Sequence, residues 1–169
     1  NTRTNLTIEL GLQSMYDETL KYINRGHDLN NFITCVKKLK ESNIKVVVHI
    51  INGLPGETKK MMINTAKFLN DLNIDGIKIH MLHVIKNTPL ADIYLSKPFH
   101  LLTKDEYIDI VVSQLEVLKP EIVIHRLTGD PKKEDLIAPD WVLKKFVVLN
   151  DIDKEMKRKD TYQGSKISS

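Results

Sequence analysis

The stretch Ile44–Thr58, IKVVVHIINGLPGET, decides the fold. Its first part, Ile44–Ile51, is a nearly continuous β-branched run interrupted only by Lys45 and His49. A strand with one wet face alternates apolar and polar residues, whereas a run of this kind is expected where both faces are covered, as in a parallel sheet. Asn52-Gly53-Leu54-Pro55-Gly56 then reads as the turn that ends the strand, and Glu57–Asn73 as an amphipathic helix.

The same alternation extends outward on both sides. Upstream, Leu6–Gln13 places Leu6, Ile8, Leu10 and Leu12 on one parity and Glu9, Gly11 and Gln13 on the other, a strand with an apolar and a polar face. Asp17–Asn24 and Leu29–Asn43 read as helices; Phe32, Ile33, Val36, Leu39 and the Lys40 stem follow a 3.6-residue period. Downstream, Asp75–Val84 reads as a strand, Thr103–Leu118 as a helix and Glu121–Leu127 as a strand. Thr103 followed by Glu106 has the spacing of a capping box. Beyond Asp130 the pattern loosens, with a helix expected from Trp141 to about Lys157 and a polar tail to Ser169. Strands alternating with helices call for right-handed β-α-β units and a parallel sheet, so the fold class is α/β. Three or four strands form an open sheet or part of a barrel; an eight-stranded barrel takes about 250 residues.

Composition removes several classes of function. Hydrophobic residues at 41% and charged residues at 28% fit a packed domain and exclude wholesale disorder. A net charge of +3 gives little reason to expect strong nonspecific nucleic-acid binding. The single cysteine, Cys35, excludes an internal disulfide framework, and its apolar helical neighbours read as those of a core thiol. No apolar run is long enough to span a membrane and no cationic, apolar leader opens the chain, so a cytoplasmic protein is expected. Asn1 stands where an initiator Met would be, which reads as a cut start.

Ligands of parallel α/β folds sit beyond the carboxyl ends of the strands, which directs attention to four places. In the first, Glu9, Gly11 and Gln13-Ser14 offer a carboxylate, a gap and an amide to a small polar ligand; equally, Glu9 pairs with a Lys or Arg on a neighbouring strand and Gly11 relieves crowding. In the second, Gly53-Leu54-Pro55-Gly56-Glu57-Thr58 lets backbone approach a ligand closely, or is simply a tight strand-to-helix turn. The third is histidine-rich: His49, His80, His83 and His125 lie in or just after expected strands. His80 and His83 have opposite parity and share a side only if the strand ends between them. In the fourth, His125-Arg126, Arg126 suits a carboxylate or phosphate, or else pairs with Asp130 or Glu134. The basic cluster Lys154, Lys157, Arg158 and Lys159 is interleaved with Asp151, Asp153, Glu155 and Asp160 and reads as a solvated helix face rather than an RNA-binding one.

Together these pieces resemble a family. Glu9-Leu-Gly-Leu-Gln-Ser14, Ile23-Asn24-Arg25-Gly26-His27-Asp28 and Ile50–Thr58 resemble the second half of a radical S-adenosylmethionine core, in particular that of bacterial Fe–S oxidoreductases of the YhcC type, relatives of the Elongator catalytic subunit. Asp75–His80, Leu82-His83, His125-Arg126 and Leu136-Ile137-Ala138-Pro139-x-Trp141 are similar to that family's later segments. The resemblance implies the last three strands of a partial (β/α)6 barrel within residues 1–130 and a helical extension over 131–169. It implies S-adenosylmethionine across the barrel top: Gln13 at the ribose, Glu9 lining the barrel beneath, and Arg25 facing the methionine carboxylate. It also implies His49 at the ribose, where many relatives have Asp, Ile51 and Gly53 against the adenine, and the Leu82–His83 backbone at its edge. The substrate would lie near His80, His83, His125 and Arg126.

One departure limits what this chain does alone. The family holds a [4Fe–4S] cluster on a Cys-x3-Cys-x2-Cys motif, and cluster ligation needs thiolates; the chain has only Cys35. The cluster is therefore not expected in this chain, and the expectation is a C-terminal fragment, inactive alone, of an enzyme that cleaves S-adenosylmethionine to a 5′-deoxyadenosyl radical. The implied partners are the missing N-terminal half-barrel and a substrate of unidentified class, RNA or a small molecule, with self-association through the exposed barrel edge as a further option. Two other readings compete. A nucleoside-binding α/β module would keep the pocket without redox chemistry, and a His-dependent metal hydrolase would need His49, His80 or His83 to converge with a carboxylate.

Overall fold

The computed structural model describes residues 6–167. In chain order the elements are β1 (Thr7–Gln13), α1 (Asp17–Tyr22), α2 (Leu29–Glu41), β2 (Lys45–Asn52), α3 (Lys59–Leu69), β3 (Gly76–Met81), β4 (Val84–Ile85), α4 (Pro89–Ser96), α5 (Lys104–Val117), β5 (Val123–Arg126), β6 (Leu136–Ala138) and α6 (Lys145–Arg158). Short 3-10 turns follow α3 at Asn70–Leu72 and precede α6 at Asp140–Leu143. The main sheet is parallel with order β1-β2-β3-β5, and β4 pairs antiparallel with β6.

The helix starts are written in the sequence. Asp28, Thr58 and Thr88 each accept a hydrogen bond from a first-turn amide, satisfying a donor the helix leaves open. At α5 the capping box forms: Thr103 N–H donates to Glu106 Oε2 at 2.8 Å and Glu106 N–H donates to Thr103 Oγ1 at 3.2 Å.

The two faces of the sheet differ. On the outer face Val46, Val48 and Ile50 of β2 and Ile77, Ile79 and Met81 of β3 are buried in a core shared with α3, α5 and α6. Each such side chain contributes about 1.5–3 kcal/mol by leaving water. On the inner face Val47 is buried, but His49 and Ile51 are half-buried. The continuous apolar run of β2 therefore reports complete cover on one face and partial cover on the other.

Several expectations change. The sheet holds the four parallel strands read from the residues, one more than the three that the resemblance implies. The run Asp75–Val84 is two elements, because β3 stops at Met81 and Val84–Ile85 turns away to pair with β6. Helix α4 and strand β6 are elements that the sequence pattern does not mark. Cys35 is exposed rather than a core thiol: Phe32 and Val36 point α2 into the core, and Cys35 sits at the edge of that stripe, on a groove of about 600 Å³ that also meets Glu9, Gly11, Arg25 and His27. Among the described residues, no helix is long and apolar enough to cross a membrane.

Candidate functional site

Strand register assembles the site. Parallel pairing aligns Gly11, His49, Lys78 and Arg126 in one row across the sheet, with Ile51 opposite His80 one step nearer the carboxyl ends. Because the outer-face residues of β2 and β3 are fixed in the core, these residues and Glu9 fall on the inner face.

Glu9 is the acid of that face, on the edge strand β1. Lys78 Nζ donates to both of its carboxylate oxygens, at 2.6 and 2.7 Å, and His49 Nε2 lies 2.9 Å from Oε2. The Lys78 ammonium, with His49 beside it, holds the Glu9 carboxyl below its usual range. Lys78 reaches across β2 from two strands away, so the pairing alternative for Glu9 is realised, with His49 inserted between the partners. The His49 and His80 rings lie 5.7 Å apart. His80 Nε2 is buried and lacks a hydrogen-bond partner among the described residues. Burial, then the neighbouring His49, Arg126, His83 and Lys78, push the His80 imidazolium down to about 4. His80 is therefore neutral at pH 7.

A second group gathers where β1 ends. Register slips between Gly11 and Gln13, and Gln13 has φ +68, so it is not simply the third position of a row. Its side chain folds back over Gly11: a Cβ there would stand 2.5 Å from Gln13 Nε2. The Arg25 guanidinium donates to Gly11 O at 2.6 Å, which brings Gln13 and Arg25 to the same strand end. The buried Ser14 hydroxyl donates to Glu57, tying the loop after β1 to the Gly53–Thr58 turn. Burial raises the Glu57 carboxyl, opposed by hydrogen bonds from Ser14 and Thr19.

Gly53, φ +86, closes β2. A Cβ there would lie 3.0 Å from Leu102 and 3.8 Å from Leu82, so only glycine leaves the gap between those side chains. Just before it, the buried Asn52 exchanges two 2.8 Å amide hydrogen bonds with Gln114 of α5. His83 lies beyond the end of β3, with Nδ1 3.2 Å from Met81 O; burial lowers its imidazolium pKa and the Met81 contact opposes that. His125 lies over Gly76, where a Cβ would meet its ring at 2.5 Å. Arg126 forms no ion pair with Asp130 or Glu134: Asp130 faces Lys145 at 3.8 Å, and a register slip between Ile77 and Lys78 sets Arg126, instead of His125, opposite the inner-face Lys78.

The structure thus brings together Glu9, His49, His80 and Arg126 on the inner face and Gln13 with Arg25 at the top of β1, with Ile51, Gly53, Leu82 and His83 along the neighbouring strand ends. Sequence reasoning gave no role to Lys78, which a lysine inside an otherwise apolar strand could have signalled. It also missed Tyr107, a buried α5 residue whose hydroxyl donates to Leu127 O at 2.9 Å and lies 3.3 Å from Ile79 O, fixing the ends of β3 and β5 together. Among the described residues no three His, Cys, Asp or Glu side chains converge as metal ligands, so the convergence that a His-metal hydrolase requires is not found there. Nor do the residues present fit an iron–sulfur cluster, since the one thiol is exposed on α2.

A four-stranded parallel sheet, helices on its outer face and polar residues on a partly open inner face define part of a (β/α) barrel whose ligands bind at the strand ends. The chain belongs to the radical SAM superfamily: the Radical SAM superfamily description matches residues 3–69 and the Radical SAM C-terminal domain residues 74–158. It is 45% identical to the uncharacterized protein YtqA of Bacillus subtilis, over 97% of this chain and 51% of that protein. It is 29% identical to YhcC of Escherichia coli K12, over 87% of this chain and 48% of that protein. The chain spans about half the length of the curated relatives it matches. The solved structure of archaeal Elp3 from Methanocaldococcus infernus superposes with a TM-score of 0.83 at 24% identity, covering 94% of this chain and 37% of that one, which shows the shared fold.

Proposed function

We propose that this chain forms the S-adenosylmethionine-binding and substrate-facing part of a radical SAM enzyme. The observation that carries the reading is the meeting of Gln13 and Arg25 over Gly11 at the end of β1, within strand lengths of the Gly53 gap. A nucleoside with a charged amino-acid tail matches that set: an amide for ribose hydroxyls, a guanidinium for the carboxylate, and a glycine-lined slot for the adenine. Glu9 lines the face below, His49 keeps its second ring nitrogen for the ribose, and Ile51 and Gly53 with the Leu82–His83 backbone border the adenine. When bound, S-adenosylmethionine supplies hydrogen-abstracting radical chemistry. The residues of this chain orient it and shield its substrate from water. No cluster ligand comes from this chain, so the cluster belongs to a preceding half-barrel that would pair with the open edge of β1.

Reading the gene ahead of the codon for Asn1 tests this first. A Cys-x3-Cys-x2-Cys motif there supports the reading; a gene that starts near Asn1, or lacks the triad, overturns it in favour of a nucleoside-binding module. In the whole protein, Gln13→Ala and Arg25→Ala are each expected to weaken S-adenosylmethionine binding about tenfold, roughly the loss of one charged or well-made hydrogen bond. Unchanged affinity in both would refute the placement.

A further inference from the structure

The cations of the inner face outnumber its acids. Glu9 is the carboxylate there, and it is occupied on both oxygens by Lys78 and on one by His49. Arg126, in the same row as Lys78, and His125, above Gly76, form no ion pair or side-chain hydrogen bond among the described residues. Within the electrostatic reach of Arg126 lies His80, whose ring stands 5.7 Å from that of His49 and whose Nε2 is buried without a partner among the described residues.

Two unmet demands therefore coincide. A buried ring nitrogen with no partner is destabilising, and such atoms are rarely left unsatisfied in folded proteins. An unpaired guanidinium facing inward presents a planar fork of donors suited to two oxygens of one oxyanion. A neutral imidazole carrying its proton on Nε2 is a donor to that same group. Lys78 and His49 do not compete for it, since Glu9 already holds them.

We infer that the substrate of this site carries an oxyanion, a carboxylate or a phosphate, which Arg126 grips through its guanidinium and to which His80 Nε2–H donates. His125 flanks the anion on β5. The inference rests on the proposed function only in calling the carrier of this anion the substrate; the anion site itself follows from the inner-face geometry.

The test uses the 169-residue chain with inorganic phosphate and succinate as separate probes. The histidine ring nitrogens are followed by 1H–15N NMR, and the His80 signal is assigned from its loss in His80→Asn. The expected result is saturable movement of the His80 signal by at least one probe. Tighter phosphate binding assigns a phosphorylated carrier, and tighter succinate binding a carboxylate. Arg126→Gln is expected to weaken the response about tenfold, and His80→Asn to weaken binding read from the backbone amides, while Lys157→Gln on the solvated face of α6 leaves it unchanged. A backbone spectrum of Arg126→Gln that matches the parent chain excludes misfolding. The inference is overturned if neither probe moves His80, or if folded Arg126→Gln binds as the parent does. S-adenosylhomocysteine titrated in parallel separates the two ideas. If it binds and the anions do not, the anion site alone falls. If the anions bind through Arg126 and it does not, the anion site stands and the nucleoside reading falls.

Discussion

Replacing Gln114 with Met isolates the contact that holds the end of β2, and with it Gly53, against α5. Gln114 is fully buried and makes three hydrogen bonds: two with the Asn52 amide, both 2.8 Å, and one from Nε2 to Met62 O at 2.9 Å. Met keeps the length of the side chain and removes every polar atom, so packing changes little while the Asn52 amide, 1% exposed, loses both partners. A buried polar group left unsatisfied costs about 1–3 kcal/mol. With two such groups on Asn52, the expected destabilisation is about 2–5 kcal/mol. For a chain of this size that corresponds to a fall in Tm of roughly 5–15 °C. Asn52→Leu should cost a similar amount for the reciprocal reason. The double variant should be less destabilised than the sum, because apolar groups then face each other and no Asn52 amide remains to be satisfied. Urea unfolding of the four proteins gives the coupling energy, expected at about 1.5–3 kcal/mol. Additivity within about 0.5 kcal/mol would refute the reasoning, since it would mean that the two amides do not depend on one another.

Gly53→Ala should destabilise the chain by about 1–3 kcal/mol, because φ +86 strains an L-residue and its Cβ would press on Leu102 at 3.0 Å; thermal melts check it, and a neutral result would show that Leu102 yields freely. The His80 shift from 6.5 to about 4 fixes a pH dependence. Between those values the unfolded chain takes up a proton that the folded chain refuses, so stability falls as pH drops through that window and is unaffected by this group above it. The unscreened limit is about 3 kcal/mol, and the partial exposure of the ring reduces it to about 1–2 kcal/mol. Subtracting the stability curve of His80→Asn from that of the parent chain between pH 7 and pH 4 isolates the effect, and parallel curves would refute it.

What could be read from the sequence was set by how far each signal is local. β2, α3 and the α5 capping box need only neighbours in the chain: a β-branched run, a 3.6-residue period, a Thr and a Glu three apart. Their ends fell within a few residues of the observed ones. The helix α4 carries an equally local signal, Thr88 as N-cap with Pro89 in the first turn, but Ile93 and Leu95 are exposed and blur its amphipathic face. β6 has three residues, too few for any period to register, and its pairing with β4 ended β3 earlier than the apolar pattern indicates. The core position expected for Cys35 fails because apolar sequence neighbours do not fix which side of a helix meets the core; Phe32 and Val36 do.

The site divides along the same line. Glycine positions were legible because backbone demands are local, and both Gly11 and Gly53 stand where a Cβ would collide. The charge network was not, because the Lys78–Glu9 pair joins β3 to β1 across β2, and that contact exists only once the order β1-β2-β3 is known. Folding alone gives no reason for this network. The outer face of the same strands is filled by Ile, Val and Met, and an equally apolar inner face would satisfy a barrel interior without the cost of desolvating Lys78 and His80. A sheet that is apolar on one face and carries a cation-rich, partly unsatisfied set on the other departs from consistency where a ligand would restore it. The unpartnered His80 nitrogen marks the point at which packing stops accounting for the residues and binding begins to.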